Sequence, residues 1–328
     1  MEKEKVIEVK DLKLYFDGDY GTTQILNGIT FDIHAGETLG IVGESGCGKS
    51  QTAMSIMRLN KARIEGEINY KGQNILELPM DEMRRIRGNE ISMIFQDPMT
   101  SLNPVFTIGA QLTEAIELHT SRKGKEAEER AVEMLTLVGV NEPEKRLKQY
   151  PFELSGGMRQ RVMIAMALSC EPDILIADEP TTALDVTIQA QILELMQELQ
   201  KKLGMAIIMV THDLGVIADM CDEIIVMYGG SVCERGTAED IFYRPAHEYT
   251  KGLLRSIPNV DRMGQKLVPI PGTPINLLNM PKGCAFCPRC ENAMKICLEE
   301  KPVEMQMPDG HFVSCWMNVK KAMEEGKA

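Results

Sequence analysis

Short apolar runs separated by polar breaks fill the first hundred residues, a pattern that favours β-strands. Residues 6–16 alternate between apolar and polar side chains, and this period of two predicts an edge strand. Further strands are predicted at residues 25–33, 38–42, 67–70 and 90–95.

After about residue 97 the pattern becomes helical. Residues 107–119 and 125–138 place apolar side chains three or four positions apart, as amphipathic helices do. Residues 173–178 are almost continuously apolar, which suits a strand buried in a parallel sheet. A helix is predicted at 187–203, and strands at 205–210, 223–228 and 231–235.

Strands interleaved with helices predict an α/β core over residues 1–250, with a helical subdomain inserted at about 97–167. After about Lys251, Pro and Gly become frequent. We therefore predict a domain boundary there, and expect residues 251–328 to form a small loop-rich module with little core of its own.

Composition and charge exclude several classes of protein. The 328 residues are 44% hydrophobic and 26% charged, and the net charge is −12. This acidic balance argues against a sequence-independent nucleic-acid binder, which would be basic. The sequence contains neither the ~20 consecutive apolar residues that span a bilayer nor an apolar signal core, so we expect neither membrane insertion nor secretion.

A glycine-rich loop follows the strand predicted at 38–42. Residues 43–50 read Gly-Glu-Ser-Gly-Cys-Gly-Lys-Ser, the G-x-x-x-x-G-K-S pattern of a phosphate-binding loop. Glycines let the backbone wrap a polyphosphate, and the following helix adds N–H donors and partial positive charge. Lys49 would reach the β- and γ-phosphates, and the Ser50 hydroxyl would bind Mg²⁺. The candidate nucleotide-binding residues are Gly43, Glu44, Ser45, Gly46, Cys47, Gly48, Lys49, Ser50 and Gln51.

Two carboxylates end the apolar run at 173–178. A buried parallel strand ends at the sheet edge where ligands of such folds bind, so Asp178 could hold Mg²⁺ through water. Glu179 could polarise an attacking water as a general base. Taken alone, Asp178-Glu179-Pro180 is equally consistent with a turn that carries solvated carboxylates.

The segment Leu154-Ser-Gly-Gly-Met158 precedes these carboxylates. Ser155 is suited to cap a helix beginning at Gly157, and the glycines let a phosphate approach the helix N-terminus. Together with the phosphate loop and Asp178, which follows Ser155 by 23 residues, it resembles the ATP-binding-cassette (ABC) family over about residues 5–250. The resemblance implies a RecA-like P-loop ATPase core with an antiparallel β edge and an inserted helical subdomain.

The resemblance assigns further residues to ATP chemistry. Gln96 matches the family's Q-loop, and His212 matches its switch histidine. Phe16, with Tyr15 as the alternative, matches the aromatic residue that stacks on adenine. It implies that Ser50, Gln96 and Asp178 hold Mg²⁺, and that Glu179, His212 and Gln96 are catalytic.

The family's geometry implies that one chain holds two incomplete ATP sites. The signature helix completes the site of a second, facing ATPase, so the chain pairs with itself or with a paralogue. The residues implied to contact nucleotide across that interface are Ser155, Gly156, Gly157 and Asp185, the last within the D-loop match Ala183-Leu-Asp185.

Longer segments resemble the ATPase subunit of bacterial oligopeptide and dipeptide permeases. They are residues 95–104, 156–165, 177–187 and 243–250. The likeness implies a peripheral protein at the cytoplasmic face of the cell membrane that drives peptide uptake. The implied partners are two transmembrane permease subunits, a second and usually paralogous ATPase, and an external substrate-binding protein.

The resemblance also predicts where a membrane subunit docks. In the family, the surface near residues 96–104 receives a short cytoplasmic helix of that subunit. We therefore expect a groove with exposed apolar side chains such as Met99, Leu102 and Val105.

Two alternative functions stay open. Relatives with the same motifs import nickel or other small solutes, and the ATPase does not contact the cargo. A soluble ABC ATPase that acts on nucleic acid belongs to a different class. Residues 97–167 lack the sustained heptads of a coiled coil and the chain carries one cassette, so we expect no nucleic-acid partner.

Five of the nine cysteines lie within residues 284–315, which we call the cysteine module. Cys284, Cys287 and Cys290 form C-x₂-C-x₂-C, a spacing typical of iron–sulfur loops and nearly as typical of zinc sites. In the permease family the pattern Gly-Cys-x-Phe-x-Pro-Arg-Cys, with two later cysteines, carries a [4Fe–4S] cluster. The resemblance thus implies a cluster on Cys284, Cys290, Cys297 and Cys315, with Cys287 at a variable position and zinc as the alternative.

Overall fold

The computed structural model describes residues 4–18, 21–96, 101–182, 184–256 and 268–324. The chain divides into two compact units. Unit 1 comprises Met1–Val6, Ile33–Glu37 and Glu77–Met209, and unit 2 comprises Ile7–Asp32, Thr38–Leu76 and Val210–Ala328. Both units contain strands and helices, as the α/β prediction requires.

Strands and helices alternate along most of the chain. The strands are β1 (Lys5–Gly18), β2 (Gly21–His34), β3 (Thr38–Val42), β4 (Arg63–Tyr70), β5 (Gln73–Asn74), β6 (Ile91–Ile94), β7 (Ile174–Asp178), β8 (Ala206–Thr211), β9 (Glu223–Tyr228), β10 (Ser231–Thr237), β11 (Met305–Gln306) and β12 (Phe312–Val313). The α-helices are α1 (Lys49–Ile56), α2 (Met80–Ile86), α3 (Ile108–His119), α4 (Lys125–Leu137), α5 (Pro143–Arg146), α6 (Gly156–Leu168), α7 (Val186–Leu203), α8 (Leu214–Met220), α9 (Ala238–Tyr243), α10 (Glu248–Arg255), α11 (Lys295–Glu299) and α12 (Trp316–Glu324). Short 3₁₀ helices lie at Pro151–Glu153, Leu277–Asn279 and Cys287–Arg289. Of the helices described, none combines the length and apolar character needed to cross a membrane.

Unit 1 is built from parallel strands and packed helices. Strands β6 and β7 are parallel, with Ile94 opposite Ala177, and every residue of both is buried. Their continuous apolar runs suit burial on both faces. Helices α3, α4 and α6 pack together, with Leu112 of α3 and Ala131 of α4 fully buried. These elements confirm the sequence prediction to within one residue.

Four strands of unit 2 form a sheet in the order β2-β1-β4-β5. β1 pairs antiparallel with β4, with Ile7 opposite Tyr70, and a register shift interrupts the ladder between Lys10 and Lys13. Because β1 lies between two strands, the prediction that residues 6–16 form an edge strand is wrong. Polar–apolar alternation shows that one face is buried, and it carries no information on the number of neighbouring strands.

The C-terminal segment pairs with the other strands of unit 2. β3 is parallel to β9, with Val42 opposite Val226, and β9 continues into antiparallel β10. β10 pairs with β12, where Glu234 lies opposite Val313, and β12 pairs with β11. The segment after residue 251 therefore adds strands to the sheet that contains β3, which the loop-rich composition did not indicate.

Candidate functional site

A tight glycine loop connects the buried strand β3 to helix α1 in unit 2. Gly43 has a φ of 154°, and a Cβ there would lie 2.2 Å from the Met227 carbonyl oxygen. Gly48 has a φ of 104° and precedes α1, where a Cβ would lie 2.7 Å from Leu26. Larger residues are excluded at both positions, so the loop keeps the backbone path that a phosphate cradle needs.

Lys49 begins helix α1 with its side chain folded toward the loop. Its Nζ donates hydrogen bonds to the Gly43 carbonyl at 2.7 Å and to the Glu44 carbonyl at 3.1 Å, and Lys49 is 6% exposed. Half-buried Ser50 follows it in the same turn. The ammonium group is thus held beside the helix N-terminus, whose partial positive charge also favours phosphate.

Glu44 in the same loop is fixed by residues far along the chain. Its backbone N–H donates to the Tyr249 hydroxyl oxygen at 2.8 Å, and its carboxylate accepts hydrogen bonds from Arg289. No sequence pattern indicated either partner. The Pro-Arg-Cys segment that contains Arg289 indicated metal ligation and gave no sign of this contact.

The two aromatic candidates near the end of β1 have different surroundings. Tyr15 lies beneath the guanidinium of Arg63, whose central carbon is 4.1 Å from the ring centroid. Phe16 is 37% exposed. Tyr15 is already engaged by a cation, which favours Phe16 as the ring for a nucleotide base.

In unit 1, two carboxylates lie at the end of strand β7. Asp178 is its last residue and is 3% exposed. Glu179 has a φ of 47°, which is uncommon outside glycine and typical of functional sites when it occurs. Its Oε2 accepts hydrogen bonds from Gln96 Nε2 at 2.8 Å and from Thr182 Oγ1 at 2.9 Å. The structure thus brings Gln96 and Glu179 together and adds Thr182, which no sequence motif indicated.

Two helix N-termini of unit 1 carry the residues named for contact with a second ATPase. Ser155 caps α6, which begins at Gly156, one residue earlier than predicted. Asp185 caps α7, and its Oδ1 accepts a hydrogen bond from the Ile188 N–H at 3.0 Å. A Cβ on Gly157 would lie 2.9 Å from Ile188, so a small residue there lets the two helices approach closely.

His212 belongs to unit 2. It follows β8 directly and is exposed, and the next residue, Asp213, caps α8 by accepting a hydrogen bond from the Gly215 N–H at 2.8 Å. This cap fixes the start of α8 immediately after the histidine. Ala183 of the D-loop match lies outside the described residues.

The docking surface predicted near Gln96 differs in part from expectation. Leu102 is 1% exposed, so its predicted exposure is wrong, because it packs into the core instead of facing solvent. Val105 is 71% exposed, as predicted. Met99 lies outside the described residues.

The five cysteines of the cysteine module line one small cavity in unit 2. Burial raises the pKa of Cys284 to about 12, and the nearby thiols of Cys297 and Cys315 contribute in the same direction. Burial likewise raises the pKa of Cys290 and of Cys315. A bound cation would reverse this trend, because it favours the thiolate form that ligates metals.

Comparison with protein families gives two matches. The family model described as ABC transporter matches residues 26–182. The model described as oligopeptide/dipeptide transporter, C-terminal region, matches residues 233–297, a range that includes Arg289 and four of the five module cysteines.

Individual proteins are similar over most of this chain. The dipeptide transport ATP-binding protein DppD of Bacillus subtilis is 53% identical, over 97% of this chain and 96% of its own. The oligopeptide transport ATP-binding protein OppD of Escherichia coli is 52% identical, over 97% of this chain and 95% of its own. Among solved structures, a dimeric post-hydrolysis state of the ATP-binding cassette MJ0796 bound to ADP and Pi has a TM-score of 0.64 at 30% identity, covering 71% of this chain and 98% of that one.

Proposed function

Since the chain belongs to the ABC transporter family of ATP-binding proteins, we propose that it is the ATP-hydrolysing subunit of an importer of dipeptides or oligopeptides. The match to the peptide-transporter C-terminal region carries the cargo assignment, because ATP motifs alone occur in ABC proteins of many functions. The relatives named for dipeptide and oligopeptide transport agree with it over nearly their whole length.

ATP binding is assigned to the glycine loop and its neighbours. The backbone of residues 43–51 surrounds the phosphates. The ammonium group of Lys49, which donates to the Gly43 and Glu44 carbonyls, would donate to phosphate oxygens instead when nucleotide binds. Phe16 stacks on the adenine. The buried position of Lys49 supports this role, because an anionic partner compensates a buried cation better than two carbonyl groups do.

Hydrolysis is assigned to the residues that follow β6 and β7. Glu179 accepts a proton from the attacking water, whose oxygen bonds to the γ-phosphorus as ADP leaves, and His212 stabilises the charge that develops on the γ-phosphate. Ser50, Gln96 and Asp178 supply the oxygen atoms that Mg²⁺ prefers as ligands, and the ion would neutralise phosphate charge. The hydrogen bond from Gln96 Nε2 to Glu179 supports the shared role of these two residues.

A second ATPase subunit is needed because one chain holds only part of each ATP site. Ser155, Gly156, Gly157 and Asp185 lie at the N-termini of α6 and α7. Helix N-termini bind phosphate, so these residues are suited to contact the nucleotide of a second ATPase subunit, a paralogue of this chain. The dimeric state of the MJ0796 cassette supports such pairing. The complete importer would add two transmembrane subunits and an external substrate-binding protein, with this chain at the cytoplasmic face of the membrane.

For the cysteine module we propose a [4Fe–4S] cluster on Cys284, Cys290, Cys297 and Cys315, with a structural role. The five module cysteines line one cavity, which supports a shared metal centre. Four cysteine thiolates would hold the cluster, and zinc on the same ligands is the alternative.

Reconstitution tests the transport function. The chain, its partner ATPase and two membrane subunits would be placed in liposomes with the peptide-binding protein, and uptake of labelled di- and oligopeptides measured with ATP. We expect uptake that Glu179→Gln abolishes while the complex stays assembled. Uptake of nickel without peptide would replace the cargo assignment, and stimulation of ATPase activity by nucleic acid would replace the transporter assignment.

A further inference from the structure

Arg289 of the cysteine module reaches the phosphate-loop residue Glu44. Nη1 of Arg289 donates to Glu44 Oε2 at 2.6 Å, and Nη2 donates to Oε1 at 3.1 Å, across 245 positions of sequence. The two side chains are 5% and 24% exposed. A bidentate guanidinium–carboxylate pair in such a partly buried site fixes the orientation of both side chains and neutralises their charges.

The other donors of Arg289 are also engaged. Its Nε donates to the Pro271 carbonyl at 2.8 Å, and Nη1 also lies 3.3 Å from the Tyr228 hydroxyl oxygen. Burial alone would lower the pKa of Arg289, but the hydrogen bonds to Glu44 and Tyr228 outweigh burial and raise it. Arg289 is therefore a fixed cation that joins the segment before the module, strand β9 and the phosphate loop.

Glu44 is held through its backbone as well. Its N–H donates to the Tyr249 hydroxyl oxygen at 2.8 Å, and its carbonyl accepts from Lys49 Nζ at 3.1 Å. The rings of Tyr249, Tyr228 and Phe286 pack against one another, and the centroid of Tyr249 lies 4.7 Å from that of Tyr228 and 5.3 Å from that of Phe286. Phe286 belongs to the cysteine module, so the module supports both the side chain and the backbone of the loop residue.

We propose that Arg289 is a positioning residue through which the cysteine module sets the nucleotide affinity of the phosphate loop. The proposal rests on the ATP-binding function proposed above and adds to it a link between two parts of unit 2. When the module is intact, Arg289 neutralises Glu44 and holds the loop in its phosphate-binding path. When the module loosens, Glu44 loses its partner next to Lys49.

The sign of the effect follows from the charges. Loss of Arg289 leaves a partly buried carboxylate beside a site for phosphates, and its repulsion weakens nucleotide binding. Loss of the Glu44 carboxylate leaves a cation there, which offsets part of the lost positioning. Removal of both charges restores neutrality, so the double variant should bind nucleotide better than the variant that lacks Arg289 alone.

The test is a double-variant cycle in the full chain, with MgATP affinity measured by titration for Arg289→Gln, Glu44→Gln and the combined variant. We expect Arg289→Gln to weaken binding about tenfold, and the combined variant to recover most of that loss. Arg235→Gln is the matched control. Arg235 also makes two hydrogen bonds to one carboxylate of the module, that of Glu304, at 3.1 and 3.4 Å, in a more exposed position and without a described hydrogen bond to the phosphate loop.

Tyr249→Phe gives a second variant that keeps the packed ring and removes the acceptor of the Glu44 N–H. We expect it to weaken MgATP binding by about fivefold, the worth of one hydrogen bond. Thermal melting of every variant shows whether it is folded, so Tyr249→Phe keeps the test decisive if Arg289→Gln does not fold.

Coupling between nucleotide binding and the cysteine module can also be measured without ATP hydrolysis. Because coupling between two sites is reciprocal, MgATP should slow the reaction of Cys287, the module cysteine outside the proposed cluster, with a thiol reagent, and should do so less in Arg289→Gln. Equal loss of affinity in Arg289→Gln and Arg235→Gln, or additive losses in the cycle, would overturn the proposal. Absence of MgATP binding in the wild-type chain would instead overturn the ATP-binding function itself.

Discussion

Gln96 Nε2 donates a hydrogen bond to Glu179 Oε2 at 2.8 Å, although the two residues are 83 positions apart. Each lies just beyond the end of one of two parallel strands, and Ile94 of β6 is opposite Ala177 of β7 in the ladder. Register thus brings the two side chains to the same sheet edge. A carboxylate held by an amide donor is oriented before substrate binds, which general-base catalysis requires.

The two hydrogen bonds that hold the Glu179 carboxylate, from Gln96 and from Thr182, can be tested without removing the carboxylate. Thr182→Val deletes the second donor to Glu179 while nearly preserving side-chain shape. We expect kcat for ATP hydrolysis to fall about fivefold, as for one lost hydrogen bond, and Gln96→Ala to lower it further because a proposed Mg²⁺ ligand is also lost. Unchanged kcat in both variants would show that the contact does not orient the base.

Glu179→Gln tests the base itself. The phosphate loop is untouched, so nucleotide binding should persist, while turnover should fall by about 10²–10⁴-fold. The measurements are MgATP affinity and phosphate release in the assembled complex. Near-normal hydrolysis by this variant would move the base assignment to another residue.

Lys49→Ala separates binding from chemistry. Its ammonium lies beside the Gly43 and Glu44 carbonyls, and its removal takes one charge-assisted interaction from the phosphates. We expect MgATP affinity to fall by roughly 10- to 100-fold, the range for hydrogen bonds to charged groups. If affinity is retained and only hydrolysis is lost, Lys49 acts on the transition state alone.

The sequence predicted local features well because they depend on local information. The period of the apolar residues placed β6, β7, α3 and α4 within one residue, and the chemistry of Ser155 indicated its helix cap. The glycine loop was recognisable because Gly43 and Gly48 adopt positive φ that other residues avoid.

Features that depend on pairing between distant segments were missed. Neither the Arg289–Glu44 pair nor the Gln96–Glu179 hydrogen bond produces a periodic pattern of residues that a single sequence would reveal. The position of β1 inside its sheet was missed for the same reason. The boundary at residue 250, the trans contacts and the cluster ligands stay predictions.

The exposed apolar surface of unit 1 predicts where a membrane subunit binds. Val105, Phe106 and Phe152 are 71%, 53% and 70% exposed, and Tyr150 stacks on Phe152 at 5.6 Å. Exposed aromatic side chains of this kind are typical of protein interfaces. A crosslinker attached to Val105→Cys should capture a transmembrane subunit in the assembled importer. Capture of the second ATPase alone would place the interface elsewhere.

The proposed cluster should stabilise the cysteine module. Residues 284–315 contain few large apolar residues in their interior, with Phe286 and Val313 among the buried ones, so ligation would supply much of the free energy that orders them. Replacing Cys284, Cys290, Cys297 or Cys315 with Ser should remove iron and lower Tm, whereas Cys287→Ser should retain both. Iron, sulfide and zinc would be measured on anaerobically purified protein. Zinc without iron and sulfide would overturn the cluster, and loss of iron in Cys287→Ser with retention in Cys315→Ser would overturn the choice of ligands.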